Sequence, residues 1–218
     1  MNLLKRHLIV GAVSLLFVYL FYLTRSEWHY MHAWNRAFAD ASLILLVITL
    51  VLGPASRIFG QMKKHLSWRR ELGIWSAITA AVHVYILFDG WFEWQFVRMI
   101  AGIGPDGQLF FDSGFTLGNL LGIIALVYVL LLSLISNRTS IGLLSKSGWD
   151  YLQQKSSTLY VLAVVHTLFF LFFYRPENPN WLQKPFLITI IFLFALQWTV
   201  FFITVRNNKK AGSMESFK

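Results

Sequence analysis

The sequence predicts an all-α fold: a polytopic membrane bundle of six transmembrane helices with both termini cytoplasmic. Three observations predict it. Charged residues make up only 13% of the 218-residue chain and hydrophobic ones 56%, where a soluble domain carries roughly 25% charged residues. Six apolar runs are each long enough to cross a hydrocarbon core of about 30 Å. The basic residues fall unevenly between the connections, as they do in membrane proteins.

The six runs are, in order, Leu8–Leu23, Ala37–Ile58, Leu72–Phe88, Thr116–Ile135, Thr158–Tyr174 and Pro185–Val205. The first follows Lys5 and Arg6 but lacks a small-residue cleavage site before Thr24-Arg25-Ser26, so it reads as an anchor and not a removed signal. Pro54 is expected to end or kink the second near its inner edge. Between the third and fourth runs, Gly90–Gly104 holds Trp91, Phe92, Trp94 and Phe96. It reads as an interfacial or re-entrant helix over the outer end of the bundle. Gly104-Pro105-Asp106-Gly107 reads as a turn, and Asp112 or Ser113 as the cap of the fourth run. Trp28, His29, Tyr30, His32 and Trp34 crowd the short connection between the first two runs. The expected organisation is 1–34 as first anchor helix and outer loop, 35–206 as the core, and 207–218 as a cytoplasmic tail.

Orientation follows from charge. With the N-terminus inside, five of the 19 Lys and Arg residues (Arg25, Arg36, Arg98, Arg175 and Lys184) lie outside and the remaining 14 inside. The net charge of +9 is thereby read as the positive-inside bias, not as a nucleic-acid surface. Absence of cysteine excludes disulfides, iron–sulfur clusters, thiolate metal sites and a cysteine nucleophile.

Two histidines stand in the middle of apolar runs, where an ionisable side chain is costly and marks function. His83 lies 13 residues after Arg70, and His166 lies 11 after Lys155. At about 1.5 Å per residue these are rises of about 20 and 17 Å, on two spans that both run outward. The imidazoles therefore reach similar depth. A single intramembrane histidine serves equally well in an interhelical hydrogen bond. Two at matched depth favour axial ligation of a six-coordinate haem iron. Ser76, Thr79 and Ala80 precede His83 at helical spacing and are small enough to leave space for a flat macrocycle, or for a close helix neighbour. Leu159, Leu162 and Ala163 before His166, with Phe169 and Phe170 after it, form a dry wall.

Arg36 and Asp40 are spaced i, i+4. They form either a local ion pair or a site in which Arg36 steers a haem propionate and Asp40 holds it in place. His29 and His32 share a helical face but have no third ligand, which favours solvated interface residues over a metal site. His65 reads as a solvated loop histidine. No glycine-rich dinucleotide fingerprint is present. The basic loop from Arg57 to Arg70 reads as topology and anionic-lipid contact.

Arg69-Arg70-Glu71-Leu72-Gly73-Ile74-Trp75, followed by His83, resembles the third span of the ferric reductase-like transmembrane domain family. Asn35-Arg36-Ala37-Phe38-Ala39-Asp40, Leu52-Gly53-Pro54, and Gly148-Trp149 with Leu152 ahead of His166, are similar to its bacterial members. That group includes the membrane haem subunits of periplasmic methionine sulfoxide reductase systems. The resemblance covers roughly residues 35–205. It implies a multi-pass protein of a bacterial inner or plasma membrane. It also implies haem b held by His83 and His166, with Arg36 beside it, and one-electron transfer to an acceptor at the outer face. Two-haem members carry a second histidine pair about 13 residues earlier, nearer the cytoplasm. Here those positions are Arg70 and Gln153, which implies one haem. A quinone or bound flavin would then serve the inner half, and the donor would be separate: a quinol, a flavin or a reductase protein. Membrane lipid is the other expected partner, and nucleic acid is not one. The other readings left by the sequence are a haem-free transporter subunit or scaffold, and a quinol-linked redox membrane subunit.

Overall fold

The computed structural model describes residues 2–103, 107–174 and 181–215. Arg175 and residues 104–106 of the expected turn lie outside them. Helix α1 spans Leu3–Leu23, α2 Tyr30–Ile58, α3 Arg69–Gly90, α4 Val97–Ile100, α5 Ser113–Leu134, α6 Arg138–Gln154, α7 Ser156–Leu168 and α8 Gln183–Glu215. A 3-10 segment, Gly60–Trp68, leads into α3, and a π turn, Phe169–Phe173, extends α7. Six helical stretches are long and apolar enough to cross a membrane: α1, α2, Gly60–Gly90, α5, Gly142–Phe173 and part of α8. The chain is therefore all-α and of multi-pass membrane type, its outward apolar side chains left for lipid, as at Leu8 on α1 and Ile188 on α8.

The helices overrun the apolar runs because backbone hydrogen bonding continues after hydrophobicity stops. Asn2 caps α1, accepting from the Leu4 amide at 3.3 Å. Asp112 caps α5, accepting from the Phe115 amide at 2.9 Å, which satisfies one of the unpaired donors of a helix start. Pro54 does not end α2; the helix runs four residues further, to Ile58. Helix α8 continues to Glu215, so residues 207–215 of the expected tail prolong the last span.

Two departures concern the connections. The outer segment after α3 is not a long interfacial helix. It turns through Glu93 and Trp94, both with left-handed φ (46° and 59°), and forms only the single turn α4. Gly102–Ile103 then pairs antiparallel with Leu109–Phe110. The Asn119 amide donates to the Met99 carbonyl at 3.0 Å and ties this segment onto α5. Helix α6, unforeseen from the sequence, follows α5, with a kink at Ser145 (φ 61°).

Helices α2 and α3 pack closely through small residues. Ser42 and Ser76 each donate a hydroxyl to the other's carbonyl at 2.9 Å, while Ala37 and Ala41 of α2 are buried with Val18 of α1. Reciprocal bonds of this kind join helices where lipid offers no hydrophobic driving force. Helix α1 leans on α2 and α3, α5 pairs with α7, and α8 packs against α2. The main core, with Leu46, Leu50, Val129, Leu159, Val164 and Leu193, lies where these pairs meet.

Candidate functional site

Between the α2–α3 and α5–α7 pairs lies a cavity of about 800 Å3, within the roughly 300–1,000 Å3 typical of cofactor sites. His83 and His166 both line it, from α3 and α7. The lining is level on the two helices. It begins at Ser76 and Leu159, each seven residues before its histidine, and reaches Phe92 and Tyr174, nine and eight after. The two imidazoles therefore stand midway along one chamber.

Each ring is oriented by a backbone carbonyl. His83 Nδ1 lies 3.1 Å from the Asn35 carbonyl of α2. The Asn35 amide in turn donates to the His83 carbonyl at 3.0 Å. His166 Nδ1 lies 2.7 Å from the Gly118 carbonyl of α5. A carbonyl only accepts, so Nδ1 carries the proton in both rings and Nε2 keeps its lone pair. No described group hydrogen-bonds either Nε2. Two lone-pair nitrogens, one from α3 and one from α7, each ring held by a carbonyl, form a donor set that could hold a haem iron.

The walls suit a flat group. Ser76 and Ala80 of α3, Gly122 and Ala125 of α5 and Ala163 of α7 all line the space. Thr79 is buried elsewhere and bonds back to the Trp75 carbonyl at 2.9 Å; Leu162 packs in the core. Gly122 is required by close approach: a Cβ there would stand 2.6 Å from His166 Cε1 and 2.7 Å from Nδ1. The π turn follows His166 by three residues and places the Phe170 ring 5.1 Å from the imidazole. Turns of this type recur at functional positions in helices.

The charged lining comes from the α1–α2 side: Arg25, Arg36 and Asp40. The opposite end, with Leu46, Val129 and Leu159, is apolar. Arg36 lies over the Phe170 ring at 5.7 Å. The expected Arg36–Asp40 ion pair does not form; Asp40 pairs with Arg25. The reason is burial. Arg25 is only 2% exposed and needs a counter-charge, which the nearby carboxylate supplies. Asp40 is thus not free to hold a ligand in place, and the first 34 residues contribute to the site directly.

The remaining candidates are dispersed. His29 is exposed at the start of α2. His32 faces the Trp91 ring at 4.0 Å and lines the same end of the cavity as Arg25. The described residues contain no group of three or more metal-ligating side chains of the His, Cys, Asp and Glu type. His65 sits in the 3-10 segment, away from the cavity. Arg70 and Gln153 do not line it either, and Gln153 donates to the Ser136 hydroxyl at 3.2 Å. Sequence reasoning missed Arg25, Asn35, Gly118 and Gly122. Only the Gly-x-x-x-Gly spacing of the last two carried a legible signal, that of a close helix approach. No family model matches the chain, and no curated protein matches it.

Proposed function

We propose that the chain is a membrane cytochrome b of the ferric reductase-like type, binding one haem b between His83 and His166 and passing single electrons towards the outer face. The observation that carries this reading is the pair of imidazoles that line one cavity from α3 and α7, each with Nδ1 committed to a carbonyl. A pair of merely structural histidines would have no need to present two unpartnered Nε2 atoms to a common space.

The haem, when bound, supplies the one-electron chemistry. The chain's own residues do the rest. The carbonyls of Asn35 and Gly118 fix ring orientation and raise the basicity of both ligands. Arg36 offers a cation for a carboxylate of the bound group. Phe170, Leu46 and Leu159 keep the chamber dry, which tunes a redox group through burial. With no dinucleotide fingerprint, the chain takes its electrons from a separate donor: a quinol, a flavin or a reductase protein. A quinone or flavin would be needed to serve the inner half.

The test is spectroscopic. The purified chain should show a reduced-minus-oxidised b-type spectrum. His83→Ala and His166→Ala should each lose the low-spin form, and His65→Ala should keep it. A colourless wild-type protein, or a full low-spin spectrum in either intramembrane variant, would overturn the reading.

A further inference from the structure

Arg36 and Asp40 stand one helical turn apart on α2, a spacing at which opposite charges on a helix attract. Yet Asp40 pairs with Arg25, from beyond the end of α1. Arg25 is gripped on several sides. Its Nη1 donates to the Phe21 carbonyl at 3.2 Å. Its guanidinium lies 5.7 Å from the Trp28 ring and 5.9 Å from the Trp181 ring, within the range of attraction between a cation and an indole face.

The consequence falls on Arg36. Among the described residues it has no ion pair, and its guanidinium faces the cavity beside Phe170. Among the described residues of this wall, two guanidinium groups and one carboxylate leave a net charge of +1. An uncompensated cation taken out of water is costly unless an anion joins it.

We propose that Arg25 is a positioning residue for the cofactor site: by holding Asp40, it keeps the Arg36 guanidinium open for a carboxylate of the bound group. This rests on the haem reading, in which that carboxylate is a propionate. Without Arg25, the Asp40 carboxylate turns to Arg36 and takes its place.

A plain strut between α1 and α2 would behave differently. Breaking a strut from either side does the same damage, whereas a latch gives opposite signs for its two partners. In Arg25→Gln, Asp40 captures Arg36. Haem affinity should fall about ten-fold, as for loss of an outer-shell partner. The midpoint potential of the remaining haem should move down, because an unpaired propionate stabilises the ferric state. In Asp40→Asn two guanidinium groups are free, so haem should be retained and the potential should move up. In the double variant R25Q/D40N no carboxylate remains to capture Arg36. Occupancy should return to the wild-type level and the potential close to it.

The experiment is haem-to-protein ratio and midpoint potential for the full chain and these three variants. Shifts of the same sign in R25Q and D40N would overturn the proposal, as would a double variant no better than R25Q. If R25Q does not accumulate, D40N and R25Q/D40N decide: the proposal requires D40N to lie above the double variant in potential, and is overturned if it does not. A wild-type chain that binds no haem overturns the haem reading itself and is seen before any variant is compared.

Discussion

Gly122 shows how much of the site rests on a side chain that is absent. Its Cα forms the floor under the His166 ring, and an added methyl would stand 2.6 Å from Cε1. Gly122→Ala must therefore push the imidazole off the Gly118 carbonyl, at a folding cost of about 1–3 kcal/mol for overpacking. In the haem reading the low-spin spectrum should become partly high-spin, with His83 the remaining ligand. Gly73→Ala is the matched control on α3, where nothing lies within 4 Å of the added carbon; its spectrum should be unchanged. Equal behaviour of the two variants would show that the close contact at Gly122 carries no functional weight. At this scale the histidines were legible because an ionisable residue in an apolar run stands out. Their partners were not, since Asn35 and Gly118 act on the rings through backbone carbonyls, which every residue has. Arg25 was hidden for another reason: it belongs to a loop in sequence, and only the packing of α1 against α2 brings it to Asp40.

The spans were legible from hydropathy because lipid demands a continuous apolar run of about 20 residues in a helix. Most of their ends were not, since backbone bonding carries a helix into polar sequence, as beyond Val205; the start of α5 is the exception, because Asp112 is a cap by residue type. Helix α6 escaped because it is polar and kinked. It is held by tertiary bonds, such as the Trp149 indole donating to the Ile135 carbonyl at 2.8 Å, and not by a pattern of its own. Between elements, the reciprocal serine bonds of α2 and α3 invite a direct measurement. Ser42→Ala and Ser76→Ala should each cost about 0.6 kcal/mol, the mean for an interhelical bond in a bundle. Neither hydroxyl is placed to ligate iron, so the haem spectrum should stay intact in both. Unfolding in detergent measures the cost; a variant that loses haem without losing stability would show that the serines act on the bound group and not on the helix pair. The two histidine clamps share a build. In each, the ring reaches a carbonyl 48 residues upstream on a neighbouring helix, so one antiparallel helix pair faces another of the same kind across the cavity.

For the molecule as a whole, the reach of the cavity would, in the haem reading, set the number of haems. It ends inward near Ser76, Val129 and Leu159 and does not include Arg70 or Gln153. Haem quantified against protein should therefore approach one per chain; a ratio near two would place a second ligand set outside this chamber. In the proposed reading the direction of electron flow depends on which way the bundle faces, and the charge bias predicts that. Six crossings bring both ends to one side. The stretch from the end of α2 through the 3-10 segment to the start of α3 carries Arg57, Lys63, Lys64, Arg69 and Arg70, while the connection between α3 and α5 carries only Arg98 as a basic residue. Short basic loops resist translocation, so the N-terminus, the 3-10 segment and α6 should face the cytoplasm. The charged cavity wall and the Trp91 and Trp181 rim should then lie towards the outside. A reporter active only in the cytoplasm should be active when fused after Lys218 and silent when inserted at Gly107. A reporter requiring export should give the reverse. Activity of the cytoplasmic reporter at Gly107 would turn the bundle over: the arginine-lined end would face the donor, and the electron would travel inward instead of out.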